Sequence, residues 1–328
     1  MARRAIAAIS VCLFTAGAAP ATAASASALS PVRASGTAKA LSVEASSAGA
    51  SSTASPAPGC AAARAGTSGR GPEPHAPAPP QVAEMLGDLR RRQSGMRHGP
   101  WTPIMVPTWV HVITAGPLGA QDSAVRNQIA TLNAAYSGRL GGVDTGIQFR
   151  LDGLTRTNNT TWFREPLAYE AGIKRARRGG ADTLNLYVAQ LSQLVLGYST
   201  YPYWYRTQPS LDGVVLDWRS LPGGSLRNFD RGFTGVHEIG HWLGLLHTFE
   251  NGCESPGDGV ADTAPEGQPT EGCPAVKDTC KGDAPDPIHN FMDYAQDRCM
   301  SEFTAGQAAR MHEMWAAYRS SPDITLDG

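Results

Sequence analysis

The segment His237-Glu238-Ile239-Gly240-His241-Trp242-Leu243-Gly244-Leu245-Leu246-His247 constrains this chain more than any other feature. In a helix of about 100° and 1.5 Å per residue, His237 and His241 stand about 40° apart and about 6 Å along the axis, so both imidazoles reach one ion. Glu238 lies beside them. Val236, Ile239, Leu243 and Leu246 gather on the opposite face, so one side packs and the other binds. Gly244 can take positive φ and end the helix, which lets His247 turn back toward the same ion. Three imidazoles without a fourth protein ligand describe an open catalytic metal site, and imidazole ligation favours zinc. Glu238 is then placed to accept a proton from a metal-activated water, a task that a purely structural site does not have.

The rest of the chain bounds where such a site sits. Its 328 residues carry 28 Lys+Arg against 29 Asp+Glu, a net charge of −1, which argues against a nucleic acid or an anionic membrane surface as partner. Residues 1–24 combine Arg3 and Arg4, an apolar stretch from Ala5 to Ala18, and the small residues Ala21-Thr22-Ala23, the pattern of a cleaved signal peptide. The apolar run is short of the roughly 20 residues that span a bilayer. The mature protein is therefore expected to be secreted, with no membrane attachment after signal cleavage. Residues 25–97 read as a low-complexity pro-segment, dominated at first by Ala, Ser, Gly and Pro, which cannot bury enough surface to offset its ordering entropy. It closes on Val82, Met85, Leu86 and Leu89 at helical spacing and on Arg90-Arg91-Arg92, either a basic maturation site or merely solvated charge.

Residues 98–328 are expected to form the catalytic domain, with an N-terminal subdomain 98–247 and a C-terminal subdomain 248–328. Ile104–Ile113 is β-branched and aromatic and predicts a strand. Gln121–Ser137 predicts a helix from Val125, Ile129, Leu132 and Tyr136. Ile147–Leu154 and Thr183–Ala189 predict strands, Tyr169–Arg178 a helix, and Leu194–Tyr198 with Gly213–Asp217 further strands. The alternation gives an α/β N-terminal half ahead of the metal helix. After it, Thr304-Ala305-Gly306-Gln307 forms a capping box that opens a helix with Ala308, Met311, Trp315 and Tyr318 on one face. His111, His289 and His312 read as packing histidines rather than ligands.

The metal motif with its third histidine, followed by Asn290-Phe291-Met292-Asp293-Tyr294, is the metzincin pattern with its methionine turn. Leu243–Phe249, Asp262-Thr263 and Asp286–Tyr294 together resemble the pappalysin-like (cytophagalysin-type) family of secreted metzincins. The likeness spans roughly Pro103 to Tyr318 and is close from Gly235 onward. It implies a metzincin-like zincin fold of mixed α/β (α+β) class. A twisted mixed sheet with the active-site helix would form the N-terminal half, and a loop-rich, disulfide-stapled C-terminal half would end in a helix.

The resemblance also implies roles. Met292 would floor the three histidines without binding the metal, and Tyr294 would donate its hydroxyl to the developing oxyanion. Substrate would lie along an exposed edge strand above the helix, for which Leu194–Tyr198 is the candidate. Spacing alone leaves three pairings open for Cys253, Cys273, Cys280 and Cys299; the resemblance favours Cys253–Cys280 and Cys273–Cys299. Asp258, Asp262 and Thr263 on a glycine-rich loop either hold a structural calcium or form a solvated acidic turn. Cys60 is left over in the pro-segment. It reads either as a latency thiol for the open metal position or as an unpaired cysteine, and Gly59-Cys60-Ala61 lacks the glycine that commonly follows such a switch. The expected function is that of a zinc-dependent endopeptidase made as a latent precursor, acting on protein or peptide substrates. A zinc amidase acting on cell-wall peptide, or a non-catalytic binding protein on the same scaffold, are the alternatives.

Overall fold

The computed structural model describes residues 71–94, 101–192, 195–282 and 284–320. The expected signal peptide and Cys60 lie outside the described residues. The first described element is a helix, α1 (Pro79–Gln93), followed by β1 (Ile104–Thr114), α2 (Asp122–Tyr136) and β2 (Ile147–Asn158). Two short helices, α3 (Thr160–Arg164) and α4 (Glu170–Ile173), lead to β3 (Leu184–Ala189), β4 (Gly197–Ser199) and β5 (Val214–Asp217). The metal motif opens within α5 (Phe233–Trp242), and α6 (Ala305–Met314) follows the long irregular stretch behind it.

The sheet has the order β2-β1-β3-β5-β4. β1 runs parallel to β2 and β3, and β3 parallel to β5, while β4 lies antiparallel to β5 at the edge. Parallel strands covered on both faces read as continuous apolar runs. β3 and β5 do so, being buried at every position. The face of α2 carrying Val125, Ile129, Leu132 and Tyr136 is buried with Val106, Val110, Leu186, Leu216 and the apolar side of α5 in one core. The Tyr136 hydroxyl donates to the Val236 carbonyl at 3.0 Å, tying α2 to α5.

Three expected elements differ in extent. β2 continues to Asn158 because residues Thr155–Asn158 stay paired with His111–Thr114. The helix expected over Tyr169–Arg178 is only α4 plus a 3-10 turn, Lys174–Ala176. Buried Lys174 donates to the Leu211 carbonyl and pairs with Glu170, and Arg177 leaves the helix to bond the Gly179 and Gly180 carbonyls. The edge strand is short and begins at Gly197.

Loops dominate from Thr248 to Phe303. Two disulfides staple them, Cys253–Cys280 and Cys273–Cys299, with Cα atoms 5.5 and 5.6 Å apart. α6 begins with the expected capping box, Gln307 N–H donating to Thr304 Oγ1 and Thr304 N–H to Gln307 Oε1. It runs into a π turn, Trp315–Arg319, whose arginine is fully buried. No helix among the described residues is long and apolar enough to cross a membrane.

Candidate metal centre

α5 ends where the sequence requires. Gly244 has φ of 97°, its N–H bonds the His241 carbonyl at 2.8 Å, and Leu245 N–H reaches back to the Gly240 carbonyl at 2.9 Å. This pair of bonds closes a helix while reversing the chain, with glycine at the left-handed position. The reversal brings His247 back to the helix. A Cβ at Gly240 would lie 2.4 Å from the Met292 sulfur, so this glycine lets the methionine sit directly under the helix. Met292 is itself held by its own N–H donating to Asn290 Oδ1 and by its carbonyl accepting from Thr248 N–H. Asn290 is clamped in turn by a reciprocal amide pair with Gln307 of α6.

The three ring nitrogens converge. His241 Nε2 is 3.1 Å from Nε2 of His237 and 3.1 Å from Nε2 of His247. The far nitrogens of two rings are fixed by carbonyls: His237 Nδ1 donates to Phe291 O at 2.7 Å, and His241 Nδ1 to Leu245 O at 2.8 Å. A carbonyl can only accept, so the proton sits on Nδ1 and the Nε2 lone pair is left facing inward. Lone pairs aimed at one another in a buried site repel unless a cation lies among them. Tetrahedral zinc with nitrogen ligands at its usual distance keeps those nitrogens about 3.3 Å apart, close to the separation found here. The donor set therefore fits a metal, with Phe291 and Leu245 carbonyls as the outer partners that orient its ligands.

Glu238 is fully buried, and the edge strand is cut to receive it: a Cβ at Gly197 of β4 would stand 2.6 Å from Glu238 Cγ. Tyr294 packs edge-on to His247, ring centroids 5.0 Å apart, and 5.7 Å from His237. His247 also stacks on Phe249 at 4.6 Å. These are the residues singled out in the sequence, and the fold brings them together.

Two participants were not foreseen. Tyr201 places its hydroxyl 2.9 Å from His241 Nδ1. Glu73 enters the cluster from the segment ahead of α1: Oε1 lies 3.1 Å from His237 Nε2, 3.2 Å from His247 Nε2 and 3.3 Å from the Tyr294 hydroxyl, and Oε2 lies 3.2 Å from His241 Nε2. Glu73 and the three histidines form the one group of metal-capable side chains found among the described residues. Burial pushes the Glu73 pKa up, but His247 and His241 facing it, with the bonds to His237 and His241, hold it well below the usual carboxylate range. The only signal in the sequence is its setting, Pro72-Glu73-Pro74, one of two acidic residues between 25 and 80.

The three residues expected to hold calcium stand in two settings. Asp258 is buried, accepts from Val260 N–H and lies beside Thr263, and burial pushes its pKa to about 7. Asp262 turns away: its two oxygens accept from Thr304 Oγ1 and Gly306 N–H at the start of α6. The three packing histidines are bonded as such, His111 to Thr155 and Asn185, His289 to the Cys299 carbonyl and His312 to the Thr145 carbonyl.

Comparison with known proteins agrees with this geometry. The peptidase family described as pregnancy-associated plasma protein-A matches residues 197–316, which run from the edge strand through the metal helix and the methionine turn into α6. An extracellular metalloprotease of Verticillium alfalfae is 42% identical over 228 residues, covering 66% of this chain and 78% of the relative. One from Uncinocarpus reesii is 40% identical over 227 residues, with the same two shares of 66% and 78%. Among solved structures, a promirolysin variant of Tannerella forsythia superposes with a TM-score of 0.62 at 28% identity, covering 73% of this chain and 89% of its own. Mature mirolysin in complex with a cleaved peptide gives 0.58 at 30% identity, covering 65% and 91%. The chain belongs to the pappalysin-type family of metalloproteases.

Proposed function

We propose that the protein is a secreted zinc-dependent endopeptidase, made as a latent precursor, in which Glu238 is the general base and Tyr294 the oxyanion donor. Three inward-facing Nε2 atoms whose rings are locked by backbone carbonyls carry this reading, because they would hold zinc while leaving Glu238 and Tyr294 on the side where a substrate carbonyl would stand. The relatives' names as extracellular metalloproteases support secretion and a peptide substrate. The promirolysin structure covers more of this chain than the mature enzyme does, 73% against 65%, which supports a precursor segment.

Bound zinc supplies Lewis acidity, polarising the scissile carbonyl and bringing the attacking water's pKa toward about 7. The protein does the rest. His237, His241 and His247 would hold the ion, their orientation fixed by Phe291 O and Leu245 O. Glu238, enclosed beneath Gly197, would take the proton from the attacking water and pass it to the leaving amine nitrogen. The Tyr294 hydroxyl would donate to the oxyanion as the carbonyl carbon becomes tetrahedral. β4, at the sheet edge and beside α5, offers backbone groups to an extended peptide independently of its side chains.

The test is cleavage of an unfolded protein substrate by the processed enzyme and by Glu238→Gln, read by mass spectrometry of the fragments. Internal cuts by wild type, with a loss of at least a thousandfold in the zinc-bound variant, are expected. Equal turnover by the two would remove Glu238 from the mechanism.

A further inference from the structure

We propose that Glu73 is the fourth ligand of the metal in the uncut chain, so that a carboxylate from the N-terminal segment closes the open coordination position and keeps the precursor inactive. The proposal rests on the zinc endopeptidase reading above and assigns its regulation to this residue.

The carboxylate faces all three ligand nitrogens and the Tyr294 hydroxyl at once, at 3.1 to 3.3 Å. A single exposed acidic side chain meeting one histidine would carry no weight; a buried one meeting all three histidines and the Tyr294 hydroxyl is in the position of the reacting carbonyl and its water. Oε1 accepts from Tyr294 as a developing oxyanion would. An anionic oxygen is also the natural completion of a three-imidazole zinc site.

The chain that follows Glu73 is held at several points. Downstream, α1 buries Val82, Met85 and Leu86 against Tyr201 and Leu246, the latter one residue before the ligand His247. Polar clasps hold it along its length: the Tyr203 hydroxyl donates to Glu84 at 2.6 Å, the Tyr318 hydroxyl to Asp88 at 2.6 Å, and Arg92 lies over the Tyr318 ring. Nearer the metal, His75 pairs with Glu170, and Pro74 lines a cavity of about 300 Å³ beside the edge strand with Leu167, Leu191, Val195 and Tyr198. Arg90-Arg91-Arg92 forms the last turn of this anchoring helix, with Arg92 bonded to Asp88.

Proline explains why the segment can lie in the cleft without being cut. A substrate would pair with β4 as an added strand, and that needs backbone N–H groups on alternate residues. Pro72 and Pro74 flank Glu73 and have none, and their fixed φ disfavours a regular ladder. The chain turns instead, with Ala76 N–H bonding the Glu73 carbonyl at 3.2 Å.

The experiment uses the full-length precursor loaded with Co(II), with acetohydroxamate as a small metal-seeking probe and the visible absorption of Co(II) as readout. Wild type, Glu73→Gln, Glu73→Ala and Cys60→Ala are compared. Both Glu73 variants should bind the probe at least tenfold more tightly than wild type and show a changed Co(II) spectrum before the probe is added. Cys60→Ala should match wild type. Equal probe affinity and unchanged spectra in the Glu73 variants would overturn the proposal, as would opening by Cys60→Ala alone. The endopeptidase reading fails separately, if Glu73→Ala takes up no Co(II) at the histidines, and the proposal falls with it.

Discussion

In the candidate site, His237, His241 and Tyr294 are oriented by two backbone carbonyls and a neighbouring carboxylate. The lone pairs of His237 and His241 point inward because Phe291 and Leu245 offer only acceptors to the other ring nitrogen. Tyr294 is aimed by Asp293, whose Oδ1 accepts both the Tyr294 and the Thr270 backbone N–H. Tyr294→Phe keeps the ring and removes one preorganised donor, so kcat should fall by about 10²- to 10³-fold with zinc content unchanged. Steady-state kinetics beside metal analysis checks this. Near Asp293, buried Glu266 accepts from Thr248, Thr270 and Lys277. Burial, with the charge of Asp293 added and Lys277 opposing, pushes its pKa to about 7. The folded chain thus binds this proton more tightly than the unfolded chain. That contribution to stability is full below about pH 4.5 and is lost as pH rises through 7. Glu266→Gln removes the titration, so the decline in melting temperature between pH 5 and pH 8 should be smaller in the variant than in wild type. An identical decline would assign it to other groups.

At the level of elements, the helix and the turn that follows it make the site together. α5 supplies His237 and His241 by period alone, whereas His247 depends on the reversal at Gly244. A Cβ there would meet positive φ and stand 2.3 Å from Met314 Cγ. Gly244→Ala should destabilise the fold by more than about 1 kcal/mol. It should also weaken zinc binding, as His247 moves with the turn; denaturant melts and competitive zinc titration measure the two. This part of the site was legible in the sequence because it is local: helical period, a glycine stop and a capping box each act within a few residues. Strands β1, β3 and β5 were legible for the same reason, as apolar runs. The break after α4 was not, since it follows from Lys174 being drawn inward by the Leu211 carbonyl, a partner distant in sequence. Asp262 is a similar case. Its oxygens accept from Thr304 and Gly306 at the start of a helix more than forty residues on, bonds that its sequence neighbours do not announce. The role of Glu73 lay further out of reach, for its partners are more than 160 residues away.

Across the whole molecule, segments far apart in sequence meet at the histidine cluster. Residues up to His247 bring β4, α5 and all three histidines of the candidate site, and the stretch beyond brings Met292 and Tyr294. One long-range tie is buried Arg319, which donates to the Trp242 carbonyl at the end of α5, pairs with Asp212 and stacks 3.5 Å over the Trp242 ring. Arg319→Ala leaves Asp212 as a buried carboxylate without this cation, and a loss of about 3–5 kcal/mol is expected, read by chemical denaturation. The central claim is that one metal ion, held by three histidines, makes this fold an endopeptidase through Glu238. Its most direct measurement is a zinc titration of the metal-stripped, processed enzyme, following cleavage of an unfolded protein in wild type and Glu238→Ala. Wild-type activity should rise linearly and level off at one zinc per chain, and the variant should bind the same single zinc and remain inactive. Cleavage by the metal-free protein, or by the zinc-loaded variant at the wild-type rate, would contradict the account.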